Sequence, residues 1–327
     1  MNFFANFDTP ISFLTFFLLL GVIFVNGWTD APNSICSAVS TKALKLSHAC
    51  IIACIFNFLG VLISYLLGAE VAKSIFSLVS FNSVFESQIG ICATFLSVII
   101  FGVGAWLFAM PSSESHAMIS SLFGACLALG GKMSGMYLSI LKIIFYMLVS
   151  CVFCFFLSFI IARLFLNKQL QYKKLQIYSC ALCSFMHGSQ DGQKFIGILM
   201  LLYSSSSREA SVPIYIVAIV SIMMCLGTLL GGERIIKSLG ENTVKLDTRS
   251  GFVSDLSSIV TLGACSFFGM PVSTGNVKSS SVIGAGIAYK EKINKKTASE
   301  IIIASLATFP ICFLLGYFLS MIIFYIA

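Results

Sequence analysis

Long apolar runs, rather than alternation of apolar and polar positions, set the rhythm of this chain. Stretches long enough to cross ~30 Å of hydrocarbon, roughly 20 residues each, recur at about 11–26, 46–68, 88–109, 137–166, 175–203, 213–231, 251–269 and 298–326. They predict membrane-spanning helices, and no soluble domain fits between them. The first run is expected to be retained: residues 1–10 carry Asp8 and no Lys or Arg, and Gly27 to Asp30 does not read as a small-residue cleavage site. Composition agrees, with 58% hydrophobic and 10% charged residues and a mean hydropathy of +0.98, well outside the range of soluble domains.

A formal net charge of +7 raises the question of nucleic acid, yet no basic stripe with interleaved aromatics is present. The positive residues cluster instead in short loops. Arg163, Lys168, Lys173 and Lys174 form a central loop without an acid among them, which the positive-inside rule puts in the cytoplasm. Residues 1–41 and 297–327 contain no Lys or Arg, so both termini are expected outside the cell. Termini on one side and the midpoint on the other require an odd number of crossings per half. Five is the simplest number if Pro111 to Gly131 spans rather than folds back.

Odd crossings per half make two similar halves inverted copies, and the sequence carries such a duplication. "NGWTDAPN" from Asn26 aligns with "HGSQDGQK" from His187, an offset of 187 − 26 = 161. "MPSSESHAMISSLFGA" from Met110 aligns with "MPVSTGNVKSSSVIGA" from Met270, an offset of 270 − 110 = 160. A weaker third match, "LLGAEVAKSI" from Leu66 and "LLGGERIIKSL" from Leu229, has the offset 229 − 66 = 163. The expected architecture is all-α and polytopic: a first inverted repeat over 1–166, a basic linker over 167–174, a second inverted repeat over 175–327, and broken or re-entrant helices in each.

Each half contains one Gly-x-x-Asp interruption, ending at Asp30 and Asp191, and one Met-Pro-x-Ser interruption, ending at Ser113 and Ser273. An ionisable residue at membrane depth costs several kcal/mol unless it is paired or functional, so the two aspartates are the leading candidates. Capping of a restarted helix is the alternative. The Pro-Ser segments read as helix starts whose free amides and hydroxyls (Ser113, Ser115, Ser273, Thr274) face a common gap. Such ends bind oxyanions. An oxyanion beside two aspartates needs a cation, and Asp30 with Asn33, and Asp191, with Thr29 and Gln190 preceding them, offer hard oxygen ligands for Na⁺, a proton site, or ligands for a divalent metal travelling with the anion. Lys194, three residues after Asp191, reads either as a direct anion contact or as a snorkelling side chain.

These segments, "GWTDAPNS", "HGSQDGQK", "MPSSESHAMI" and "GMPVSTGNVKSSSVIG", resemble the signatures of the inorganic phosphate transporter (PiT) family, in particular its shorter bacterial members, in order from about residue 20 to residue 290. The resemblance implies a multi-pass plasma-membrane symporter that carries inorganic phosphate with Na⁺ or H⁺, sometimes as a neutral metal–phosphate complex. No resident metal or cofactor is implied, and the oligomeric state stays open. By matching position it implies that Asp30, Asn33 and Asp191 hold substrate or coupling ion and that Ser113, Ser115, Ser273 and Thr274 contact phosphate. Many members have Gly-Ala-Asn-Asp where this chain has Thr29 and Gln190 before the aspartates. Glu114, Gly275 and Asn276 also depart from the pattern, so the two halves are chemically unequal.

Other features are expected to be structural. The twelve cysteines read as small buried hydrophobes, and Glu70 and Glu233 as interfacial or salt-bridged. His116 and His187 lie in signature segments and read as packing residues or proton gates. Two alternative functions are carried: a symporter of another oxyanion such as sulfate, and an intramembrane hydrolase using Ser113 or Ser115 with His116.

Overall fold

The computed structural model describes residues 9–107, 113–133, 136–204, 212–230, 236 and 243–327. The first half contributes α1 (Pro10–Thr29), α2 (Pro32–Ser40), α3 (Leu46–Leu66), α4 (Glu70–Phe76), α5 (Val84–Leu107), α6 (Glu114–Ala128) and α7 (Met136–Leu164). The second contributes α8 (Tyr172–His187), a π-helical turn (Gly188–Gly192), α9 (Gln193–Ser204), α10 (Ile214–Leu230), α11 (Thr248–Phe267), α12 (Thr274–Ala288) and α13 (Lys295–Ile326). The β-structure among the described residues comprises the two-residue strands Val79–Ser80 and Lys132–Met133, paired antiparallel, and an isolated bridge between Val244 and Ile293. Among the described residues, five helical segments are long and apolar enough to cross a membrane, and α7 and α13 turn exposed Leu, Ile and Phe outward along their lengths. That is the inverse of a soluble fold, with buried Ser, Thr, Asn and Asp inside an apolar belt facing lipid.

Glycines reveal how the halves fit together. A Cβ on Gly27 of α1 would collide with the α10 backbone at Met224, and one on Gly188 would collide with Asn57 of α3. In the same way, Gly60 of α3 lies against Phe185 and Ser189, while Gly227 of α10 lies against Phe24 and Trp28. The partners are repeat equivalents, 185 − 24 = 161 and 189 − 28 = 161. A second set follows the same rule. Gly124 of α6 backs onto Phe313 and Tyr317 of α13, and Gly284 of α12, 160 residues further on (284 − 124), backs onto Phe155 and Ser158 of α7. Small residues let helix backbones approach where lipid supplies no hydrophobic drive between helices.

Every one of these contacts joins a helix of one half to a helix of the other. The molecule is therefore interlaced: α1 packs on α10 as α8 packs on α3, and α6 packs on α13 as α12 packs on α7, with α3 and α10 against each other. Equating Gly60 with Gly227 gives 227 − 60 = 167, four residues more than the Leu-Leu-Gly match. The pairing of α3 with α10 is thus displaced by about one helical turn from that match. Glu233, within the match, lies outside the described residues. Glu70 forms an exposed salt bridge with Lys73 at 2.8 Å.

The axis relating the halves passes through a specific contact. Ser113 Oγ donates to Ser273 Oγ at 2.7 Å, and these serines are counterparts, 273 − 113 = 160. A residue that touches its own counterpart lies on the symmetry axis. Since α6 and α12 begin there and run apart, their shared origin is the inverted arrangement. Each has 15 residues, about 22 Å of helix, too short to cross ~30 Å of hydrocarbon. Residues Met110, Pro111 and Ser112 lie outside the described residues.

One expectation needs correction. Cys54 of α3 and Cys225 of α10 are joined as a disulfide, so not all twelve cysteines are simple apolar fillers; nine of the ten free ones are buried as expected. An internal ion pair also escaped the sequence: Lys278 of α12 bonds Asp255 of α11, which also accepts from Ser179 Oγ at 2.6 Å, all of them buried. Lys278→Met strands that carboxylate and is expected to lower stability by about 3–5 kcal/mol. Thermal unfolding in detergent checks this, with the double variant Asp255→Leu/Lys278→Met expected to recover most of the loss.

Candidate functional site

At the first aspartate, α1 ends and α2 restarts from Pro32. Asp30 donates its backbone N–H to Asn26 O as the C-cap of α1, and α2 carries no side-chain cap. Asp30 is therefore not an N-cap. At the second aspartate the helix does not break. It widens into one π-helical turn from Gly188 to Gly192, a distortion that recurs at functional sites, and this turn pushes Asp191 into the space between the halves. Both carboxylates are buried.

The pair is joined across the repeats. Thr274 Oγ1, at the start of α12, lies 3.3 Å from Asp30 Oδ2 and 3.2 Å from Asp191 Oδ2. One hydroxyl carries one proton, so it donates to one carboxylate at a time. Asn33 Nδ2 donates to Asp30 Oδ1 at 2.6 Å, and Asn26 Nδ2 to Asp191 Oδ2 at 3.2 Å. His187 Nε2 is 3.3 Å from Asp191 Oδ2, while its Nδ1 faces Asn57 Oδ1 at 3.1 Å. Asn57 spends its amide N–H on Thr228 at 3.2 Å, which leaves its oxygen to accept from Nδ1. One ligand atom each from Asp30, His187 and Asp191 lies within 4.8 Å of the others, close enough to share one small cation.

Lys194 is buried beside this cluster. Its Nζ donates at 2.6 Å to each of Asp191 Oδ1, Ser115 Oγ and Val272 O. An ammonium has three N–H donors, and all three are spent within the protein. Ser115 thus faces the site through Lys194, and Ser113 and Ser273 through each other. Each of those two serines also accepts the backbone N–H three residues on, from His116 and Asn276, at 3.3 Å.

The remaining candidates bond elsewhere. Thr29 Oγ1 lies within hydrogen-bond reach of Glu114 Oε1 and Val25 O and donates to one of them at a time, and Gln190 Nε2 reaches Ser266 Oγ at 3.0 Å and Met270 O at 3.4 Å. Neither bonds an aspartate. The His116 ring stacks on Phe309 at 4.6 Å and neither of its nitrogens has a hydrogen-bond partner, so the Ser–His pairing of the hydrolase alternative is not formed.

Asn26 and Glu114 were not among the site residues expected from sequence. Both are buried, and Asn26 Oδ1 and Glu114 Oε2 lack hydrogen-bond partners while lining, with Asp191 and Lys194, a cavity of ≈ 10 Å³, room for about one water. The signal was present in the repeat itself. Asn26 aligns with His187 and Glu114 with Thr274, so each occupies the position of a residue already suspected.

This geometry can be set beside known proteins. The model of the phosphate transporter family matches residues 26–171 and again 166–316. A "Probable low-affinity inorganic phosphate transporter" of Bacillus subtilis (strain 168) is 33% identical over 317 residues, covering 92% of this chain and 94% of that one. Its namesake in Rhizobium meliloti (strain 1021) is 32% identical over 317 residues, covering 91% and 94%. Among solved structures, one named "The sodium-dependent phosphate transporter" superposes with a TM-score of 0.87 at 19% identity, covering 98% of this chain and 100% of the other, which shows a shared fold. Two family-model matches end to end, on a multi-pass membrane protein whose halves meet at Ser113 and Ser273, make this chain a member of the phosphate transporter family.

Proposed function

We propose that the chain carries inorganic phosphate across the membrane as a symporter coupled to Na⁺ or H⁺, with free phosphate or its neutral metal complex as substrate. The observation that carries this reading is the convergence of two helix starts on two carboxylates, bridged by Thr274. The positive ends of α6 and α12 favour a tetrahedral oxyanion, and the acids beside them favour the cation that must accompany it. Ser113, Ser115, Ser273 and Thr274 cradle phosphate, Asp30, Asn33 and Asp191, with Thr29 and Gln190 preceding the aspartates, serve the coupling cation, and Lys194 lies against Asp191 and Ser115.

Transport follows by alternating access around this centre. Because the packing is interlaced, the bodies that move are not residues 1–166 against 175–327. They are cross-repeat pairs, such as α6 with α13 and α12 with α7, tilting against the core of α1, α3, α8 and α10. The basic loop over 167–174 faces the cytoplasm and both termini face outward, as the distribution of Lys and Arg implies.

Purified protein in liposomes, given inward Na⁺ or pH gradients, is expected to accumulate phosphate under at least one of them, with arsenate competing and sulfate not. Failure to accumulate phosphate under any gradient, or equal competition by sulfate, rejects the assignment. In the same assay Thr274→Val, which removes the hydroxyl between the carboxylates, is expected to raise the phosphate KM about tenfold, the cost of one lost charge-assisted hydrogen bond.

A further inference from the structure

The two sides of the symmetry axis differ in the group each places beside its aspartate. On one side Asn33 Nδ2 donates to Asp30 Oδ1 at 2.6 Å, and Gly275 lies so close that a Cβ would meet Asn33 Nδ2 at 2.9 Å. On the other, Lys194 Nζ donates to Asp191 Oδ1 at 2.6 Å and to Ser115 Oγ at 2.6 Å. Lys194 is the counterpart of Asn33 (194 − 33 = 161) and Ser115 that of Gly275 (275 − 115 = 160). One half thus presents a neutral amide where the other presents an ammonium, together with an extra hydroxyl to receive it.

The oxygens around that ammonium are a carboxylate, a hydroxyl and a backbone carbonyl, each at 2.6 Å. This is the hard oxygen set that binds alkali and alkaline-earth cations. A lysine ammonium is a compact point charge on a flexible stem, and here it is 1% exposed, with no donor left for an anion. Asp191 lies in a buried space, where a carboxylate without a counter-charge is strongly unfavourable, and the Lys194 ammonium stands 2.6 Å from it.

We propose that the Lys194 ammonium is a tethered cation that fills the position an alkali ion would otherwise occupy beside Asp191, so that each transport cycle needs one exogenous cation fewer than with an uncharged residue there. The lysine thereby sets the coupling stoichiometry rather than contacting phosphate. This rests on the symporter reading above, and the test keeps the two separate.

Lys194→Asn installs the residue of the opposite half and empties the position. Two measurements follow, both with NaCl against choline chloride. In proteoliposomes the variant is expected to acquire a Na⁺ requirement that wild type lacks at that position, its Hill coefficient for Na⁺ exceeding the wild-type value by about one, as one added cooperative site allows. In detergent its unfolding temperature is expected to rise by several degrees on exchanging choline for Na⁺, while that of wild type shifts less. The proposal is overturned if the variant keeps wild-type cation dependence while its phosphate KM rises about tenfold or more, the mark of a lost substrate contact. It is equally overturned if Na⁺ gives the variant no added thermal protection, or if the variant cannot be recovered in NaCl any better than in choline. Should wild type itself move no phosphate, the symporter reading falls, and the thermal comparison still decides the role of Lys194.

Discussion

Asp191→Asn is expected to abolish phosphate accumulation, with initial uptake in proteoliposomes falling about 100-fold, equivalent to about 2.7 kcal/mol. The carboxylate is the point where four groups converge: Lys194 and His187 from its own segment, Asn26 from α1, and Thr274 from α12. Replacing it by an amide leaves the ammonium buried without a counter-charge. Losing one member of a buried charge pair costs about 3–5 kcal/mol, so the variant is also expected to unfold at lower temperature.

Asp30→Asn separates the two effects. Asp30 has only neutral hydrogen-bond partners, Asn33 and Thr274, and removing its charge strands no cation. It is expected to lose coupled uptake to a similar degree while keeping a near-wild-type unfolding temperature. Near-normal transport by both variants removes the aspartates from the mechanism.

The second large effect concerns assembly. Gly60→Leu and Gly227→Leu are each expected to yield no folded protein by size-exclusion chromatography in detergent. Gly60 lies against Phe185 and Ser189, and Gly227 against Phe24 and Trp28, and in each case the obstacle is backbone, which cannot rotate aside. The Ala variants give the graded version, about 1–3 kcal/mol of overpacking strain each. Because the positions are counterparts, the two Ala variants are expected to lose similar amounts, and a large inequality between them argues against the crossed pairing of α1 with α10 and α8 with α3.

Much of this was legible in the sequence, and the reason is specific. The predicted runs coincide within a few residues with α1, α3, α5, α7, α8 to α9, α10, α11 and α13, because hydropathy reports what lipid demands of a span. The special positions were legible because Pro, Gly and Asp at membrane depth are costly enough to stand out, and because each appears twice at one offset. The internal pairings were not. Thr29 with Glu114, Asp255 with Lys278, and Asn57 with His187 and Thr228 join residues far apart in the chain. A single polar residue within an apolar helix does not declare its partner. The π-helical turn was invisible for a related reason: Gly188 and Gly192 permit an altered backbone without specifying whether it breaks or merely widens.

The interlacing also bears on how the protein is made. When the ribosome has delivered only the first half, the Gly27 face of α1 and the Gly124 face of α6 have no lasting partners, since α10 and α13 are not yet synthesised. These grooves must stay open to lipid, or to a membrane chaperone, until the last helix emerges. The tight packing that completes the molecule is then late and concerted, and a nascent chain truncated after α7 is expected to be cleared by membrane proteases rather than to persist as a stable half.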